Sequence, residues 1–144
     1  MPPRSNHHDN VRLICKTDTA WSKDRLISGS AWIFSGAQLL NPIEGSSIEE
    51  YVRSPLVAEA MAVRSALCMA QSMEITALRV FSDNRTLIRA ISGNTQSKEI
   101  IGIVKDIRLI SSEFACISFS HLPRSENAVS DLLAKRALQA HLHL

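Results

Sequence analysis

The sequence holds few cysteines, and they form no motif. Cys15, Cys68 and Cys116 lie far apart, are odd in number and show no CxxC spacing. That pattern argues against a zinc site and a disulfide framework and fits a reducing, intracellular compartment. All three read as small core residues. No uninterrupted apolar run approaches the roughly 18 residues that a membrane span requires. Residues 1–10 are polar, carry Pro2 and Pro3 and lack an apolar h-region, so they do not read as a secretory signal. They are expected to form a disordered N-terminal tail, His7 and His8 included. No charge of one sign dominates either: 16 basic and 14 acidic side chains leave a net charge of +2. That balance neither demands nor excludes a nucleic-acid partner, because a local patch can do the electrostatic work. With no internal repeat, low-complexity stretch or linker, residues 11–144 read as one domain.

What is present is an ordinary globular composition, 45% hydrophobic over 144 residues, enough to build a core. Val11 to Ala20 alternates as a strand, with Val11, Leu13, Cys15 and Thr17 on one side and Arg12, Ile14, Lys16 and Asp18 on the other. A second strand is predicted from about Leu26 to Phe34 and a third, closing a meander through Ser35-Gly36, from Ala37 to Ile43. Glu44 to Ser54 reads as a loop. Ser54-Pro55 is a helix start, with a cap residue followed by proline at the first helical position. That helix should run to about Met73 on a stripe of Leu56, Ala60, Val63, Leu67 and Ala70. Leu78 to Ser82 is β-rich. Asn84 to Ile91 reads as a helix punctuated by Gly93. A further helix spans about Lys98 to Ser112, a strand Cys116 to Leu122, and a last helix runs from Ser125–Asn127 to about Ala140. Three strands followed by strands alternating with helices imply an α/β fold: a five-stranded mixed sheet flanked by helices.

Four acids stand in positions that are not plain surface. Asp18 ends the first strand, where a turn-bonding Asp is also common. Glu59 falls inside the apolar stripe of the first long helix, between Ala66 and Ala70 in angular position. A carboxylate there is costly unless an arginine or a metal cation pairs with it. Asp83 follows the β-rich run and precedes a helix, so it lies at the carboxyl end of a strand, where α/β sheets gather ligands. An N-cap would occupy the same place. Asp131 sits in about the first turn of the last helix, which the helix dipole favours in any case. Together the four give the order Asp, Glu, Asp, Asp on strand end, helix, strand end and helix start. Converging carboxylates suit hard divalent ions such as Mg²⁺, with Mn²⁺ as an alternative. Two such ions about 4 Å apart clamp an in-line displacement at phosphorus. Without metal, the acids repel one another, and raised pKa values are expected.

The segments Lys16-Thr-Asp18-Thr-Ala-Trp21, Ala58-Glu59-Ala60-Met61-Ala62-Val63-Arg64, Val80-Phe81-Ser82-Asp83-Asn84 and Leu122-Pro-Arg124-Ser-Glu-Asn127-Ala-Val-Ser-Asp131 carry a resemblance. In this order they resemble the ribonuclease H-like domains of many plant proteins and of retroelement reverse transcriptases, over about residues 11 to 140. The resemblance implies a ribonuclease H-like fold and a metal-dependent endoribonuclease. Its activity would cleave the RNA strand of RNA–DNA hybrids, leaving a 3′-hydroxyl and a 5′-phosphate. It carries the family's four metal-binding, catalytic acids onto Asp18, Glu59, Asp83 and Asp131. Asn127 matches the polar residue ahead of the last acid, which anchors substrate or helix. Lys16, Arg85, Arg124, Arg89 and Lys135 are the cations expected near substrate, and Trp21 and Trp32 are expected to pack in the core or strands. Three departures favour the alternative, a catalytically weak or inactive nucleic-acid-binding or protein-interaction module on the same fold. Active members carry a histidine on the loop before the last helix, whereas Leu122 to Asn127 has none and His121 lies just outside it. Glycines common on the second strand are partly replaced in Ser28-Gly-Ser-Ala-Trp-Ile-Phe34. Gly93 to Glu99 is too short for a basic protrusion.

Overall fold

The computed structural model describes residues 12–93 and 95–143. The tail expected at 1–10 lies outside the described residues, as does Val11. Three strands come first: β1 (Leu13–Ser22), β2 (Ile27–Ser35) and β3 (Ile43–Glu49). Helix α1 (Pro55–Ser72) leads into β4 (Ala77–Ser82), then α2 (Arg85–Ser92) and α3 (Ile101–Ser111). Strand β5 (Cys116–His121), a 3₁₀ turn (Arg124–Glu126) and α4 (Ala128–Leu142) complete the chain. The sheet order is β3-β2-β1-β4-β5, antiparallel through the meander and parallel from β1 to β5. This is the expected five-stranded mixed sheet. No helix among the described residues is long and apolar enough to cross a membrane.

Two local signals fixed the helices in place. Ser54 accepts a hydrogen bond from the Val57 amide at 3.2 Å, and Pro55 occupies the first helical turn of α1. Gly93 ends α2 in the left-handed region, φ 85°, where a side chain would be strained. The core lies between the sheet and the α1–α2–α3 layer. Leu13, Cys15, Trp32 and Phe34 meet Val63, Leu67, Leu87 and Ile107 there. Helix α4 covers the other side of β1, β2 and β3.

Two expectations need correction. The third strand is not Ala37–Ile43 but Ile43–Glu49, a segment read as loop. It is an edge strand that pairs with β2 alone, from Phe34↔Ile43 to Ser28↔Glu49. An edge strand with one solvated flank tolerates the polar sequence Ile-Glu-Gly-Ser-Ser-Ile-Glu, so hydrophobic alternation did not mark it. The apolar piece before it is a loop in which Leu39 packs on the core while Leu40 is 97% exposed. The cysteines also differ: Cys15 is buried, but Cys68 is exposed on α1 and Cys116 is half-buried on β5.

Helix α4 is seated on a glycine. A Cβ at Gly29 would overlap the Ala134 carbonyl oxygen and lie 2.8 Å from the Leu138 amide nitrogen. Backbone cannot yield as a flexible side chain would. Gly29→Ala is therefore expected to push α4 off β2 and to cost about 1–3 kcal/mol in a urea denaturation experiment. Stability unchanged within error would refute this account of the contact.

Candidate metal centre

The parallel pairing of β1 and β4 aligns Lys16 with Phe81. Two residues further on stand Asp18 and Asp83, so register alone brings these two acids to the same level of the sheet; Asp83 lies just past β4, but Asp18 does not end β1 as expected, because the β1–β2 hairpin carries the strand on to Ser22. Thr17 supports the junction, its hydroxyl donating to the Phe81 carbonyl at 3.4 Å. Glu59 comes from the second turn of α1, on the side that meets the sheet. The helix cannot turn Glu59 outward, because Ala58, Ala62, Val63 and Ala66 are fully buried around it. One ligand atom each from Asp18, Glu59 and Asp83 falls within 4.8 Å of the others. Asp18 is 5% exposed and Glu59 7%.

Helix capping was the competing explanation for Asp83, and it belongs instead to the next residue. Asn84 caps α2, its Oδ1 accepting from the Leu87 amide at 2.9 Å. Asp83 is left facing the other acids. Asp131 stands in the first turn of α4 as expected. It is outside the tight trio but lines the same cleft of about 310 Å³ with Asp18, Glu59, Arg124 and Lys135. Its Oδ2 accepts from Lys135 Nζ at 2.9 Å.

Burial and mutual repulsion set the protonation of the inner pair. Desolvation first, then the charges of Asp83 and Asp131, push Asp18 up to about 6, although the Thr19 amide hydrogen bond works against the rise. Glu59 is pushed up to about 8 by desolvation and then by the charge of Asp18. Glu59 Oε1 accepts from the Thr19 hydroxyl at 2.8 Å. Its other oxygen, Oε2, is buried without a hydrogen-bond donor. A buried carboxylate oxygen with no donor, beside two more carboxylates, suits a hard divalent cation. The donor set therefore fits the divalent cation that the four-acid order implied.

The remaining expected site residues divide. Arg124 reaches towards Asp83 Oδ2 at 3.9 Å with a side chain 89% exposed, so it is a mobile cation at the cleft mouth. Arg85 is exposed at the first position of α2, two residues past Asp83. Arg89, also exposed, lies in the last turn of that helix. Lys16 leaves β1 on the same side as Asp18 but does not line the cleft with it; its ammonium donates to the Glu126 carbonyl at 3.1 Å, beneath the turn before α4. Asn127 takes the helix-anchoring side of its expected role. It is 1% exposed, and its amide nitrogen donates to the Thr17 carbonyl at 2.8 Å and approaches Asp83 Oδ2 at 3.5 Å. It ties β1, the Asp83 corner and the start of α4 together instead of facing a substrate. His121 ends β5 in register with Ser82. Trp32 is buried as expected, but Trp21 is half-exposed and lines the cleft, its indole N–H donating to the Val52 carbonyl at 2.8 Å. Sequence reasoning did not single out Thr19, whose amide donates to Asp18 Oδ1 at 2.8 Å. Adjacency to Asp18 was the only signal for it.

The raised pKa values fix a sign. Unfolded carboxyls titrate near about 4, so above that pH the metal-free fold retains protons that the unfolded chain has lost. This contribution to stability is fully present below about pH 4 and is lost as pH rises through 6 and then 8. Glu59→Gln removes the buried charge. In chelator it is expected to melt higher than the parent by a few degrees at pH 8, with the gap closing by pH 5. In excess divalent metal the order should reverse. A gap that is the same at both pH values would disprove the assignment.

Comparison with known proteins agrees with this geometry. RNase H1 of the halophilic archaeon Halobacterium salinarum NRC-1 superposes with a TM-score of 0.82 at 20% identity, over 90% of this chain and 98% of that one. The N-terminal RNase H domain of a Mycobacterium tuberculosis protein gives 0.80 at 19% identity, over 92% and 97%. LC11-RNase H1, solved in complex with an RNA/DNA hybrid, gives 0.80 at 22% identity, over 91% and 99%. No curated protein sequence matches significantly. Residues 16–137 match the model of the reverse transcriptase-like family, and with a sheet and helices arranged as in these RNase H structures, the chain belongs to that family and has the ribonuclease H-like fold.

Proposed function

We propose that this chain is a divalent-metal-dependent endoribonuclease that hydrolyses the RNA strand of RNA–DNA hybrids, with Asp18, Glu59, Asp83 and Asp131 as its metal ligands. The observation that carries the reading is the convergence of Asp18, Glu59 and Asp83 within 4.8 Å, two of them buried. Three carboxylates from the middle of β1, the end of β4 and a helix have no structural need to meet, and their meeting costs desolvation and repulsion. The hybrid-bound LC11-RNase H1 supports the choice of substrate by likeness of fold.

Mg²⁺, when bound, would supply the positive charge that offsets charge developing on the phosphodiester. The chain's own residues do the rest. Asp18, Glu59 and Asp83 would hold the cation from the sheet side, and Asp131 would close the site from α4. Arg124, exposed at the cleft mouth, and Arg85, exposed at the start of α2, would meet the phosphate backbone and set register without reading bases. Trp21 and Pro55 form an apolar wall of the same cleft, excluding water on one side.

One observation favours the second reading, a nucleic-acid-binding module without catalysis. The loop from Leu122 to Asn127 holds no histidine, so no neutral proton carrier sits beside the acids on that side. The two readings separate in one assay. Labelled RNA–DNA hybrid incubated with Mg²⁺ is expected to be cut to 5′-phosphate fragments. Asp83→Asn should lower the rate on the order of a thousandfold. Metal-dependent hybrid binding with no cleavage would favour the binding module, and cleavage indifferent to Asp83→Asn would sink the proposal.

A further inference from the structure

We infer that Thr19 is the positioning residue of this centre: it engages one oxygen of Asp18 and one of Glu59 and so dictates which oxygens are left for metal. The inference rests on the metal-centre reading above and adds a residue to it. Thr19 uses two different donors on two different acids. Its backbone amide reaches Asp18 Oδ1 at 2.8 Å, and its hydroxyl reaches Glu59 Oε1 at 2.8 Å. Both lengths belong to well-formed hydrogen bonds to carboxyl oxygens. What remains on Glu59 is Oε2, buried and without a donor. Oxygens Oε2 of Glu59 and Oδ2 of Asp18 are therefore the ones directed to a cation.

The local structure explains why this residue suits the task. Thr19 lies in the middle of the β1–β2 ladder, opposite Ser30, so its backbone is fixed on both sides of the side chain. A β-branched side chain on a strand has a restricted χ1, which aims the hydroxyl at little entropic cost. It stands on the same side of β1 as Cys15 and Thr17, the side facing α1, and thus beneath Glu59. Asp18 points to the other side of the strand, and the Thr19 amide is the donor that holds its carboxylate there. Asn127 performs a comparable service at Asp83 from α4. Ligands oriented by such outer partners lose about ten- to hundredfold in metal affinity when the partner is removed.

The test uses Mn²⁺ and Mg²⁺ titration by calorimetry on the whole chain, with no substrate present. Thr19→Val keeps the shape and the backbone amide and deletes only the hydroxyl. It should weaken metal binding by ten- to hundredfold, while Thr19→Ser, which restores the hydroxyl, should return to within about threefold of the parent. Thr19→Ala serves as a second deletion should the valine variant fail to fold, and thermal melts in chelator report folding for each. Thr19→Val or Thr19→Ala binding metal as tightly as the parent, or Thr19→Ser binding as weakly as the deletions, overturns the positioning role. The Asp83→Asn control keeps the two claims apart. If the parent itself binds no metal, or binds it equally well with Asp83→Asn, the metal-centre reading fails. If the parent binds, Asp83→Asn does not, and Thr19→Val matches the parent, only the role of Thr19 fails.

Discussion

Two carboxylates held out of water next to each other are the constraint on which this molecule turns. Asp18 and Glu59 are nearly inaccessible; burial raises both, and the charge of Asp18 raises Glu59 further. Among the described residues no arginine or lysine forms an ion pair with Glu59; the cations that do approach the cleft go to Asp83 and Asp131 from exposed positions. The protein thus balances its outer acids with mobile surface cations and leaves its inner pair to a proton or a metal. Exposed pairs of this kind are weak and easily exchanged. Both Arg124 and Lys135 are consequently free to leave their carboxylates when a stronger cation arrives.

The rest of the fold can be understood as scaffolding for that arrangement. Parallel pairing of β1 with β4 levels Asp18 with Asp83. The alanine-rich side of α1 lets Glu59 approach the sheet closely, with Ala58, Ala62 and Ala66 fully buried beside it. Gly29 lets α4 lie against β2 and thereby fixes the position of Asp131. Asn127 joins these elements by a buried side-chain bond to the backbone of β1. Each piece is small or polar where ordinary core packing would have chosen something larger and apolar, which is how a site differs from a core.

Much of this could be read from the sequence, for reasons that differ by residue. Glu59 was legible because helical periodicity put a charge on an apolar stripe. Asp83 was legible because a β-rich run ended just before it and a helix began just after. The start of α1 was legible from Ser54-Pro55, and the end of α2 from Gly93. Strand β3 was not, since an edge strand needs no hydrophobic alternation and the apolar Ala37–Leu40 piece offered a stronger false signal. Lys16 shares a side of β1 with Asp18, but nothing local showed that its long side chain reaches the Glu126 carbonyl 110 positions away. Asn127 and Thr19 depend on partners 110 and 40 positions away, and hydrogen bonds at that separation leave no local pattern.

That long span has a consequence for the nascent chain. The acids enter at positions 18, 59, 83 and 131, and the bond from Asn127 to the Thr17 carbonyl joins nearly the first strand to the last helix. During synthesis a chain that stops short of α4 can pair β1 with β4, yet it lacks both the clasp at Asn127 and the fourth acid. Such a polypeptide would already hold the trio of Asp18, Glu59 and Asp83 but with their corner unclasped, so its inner acids would stay open to water until the last segment docks.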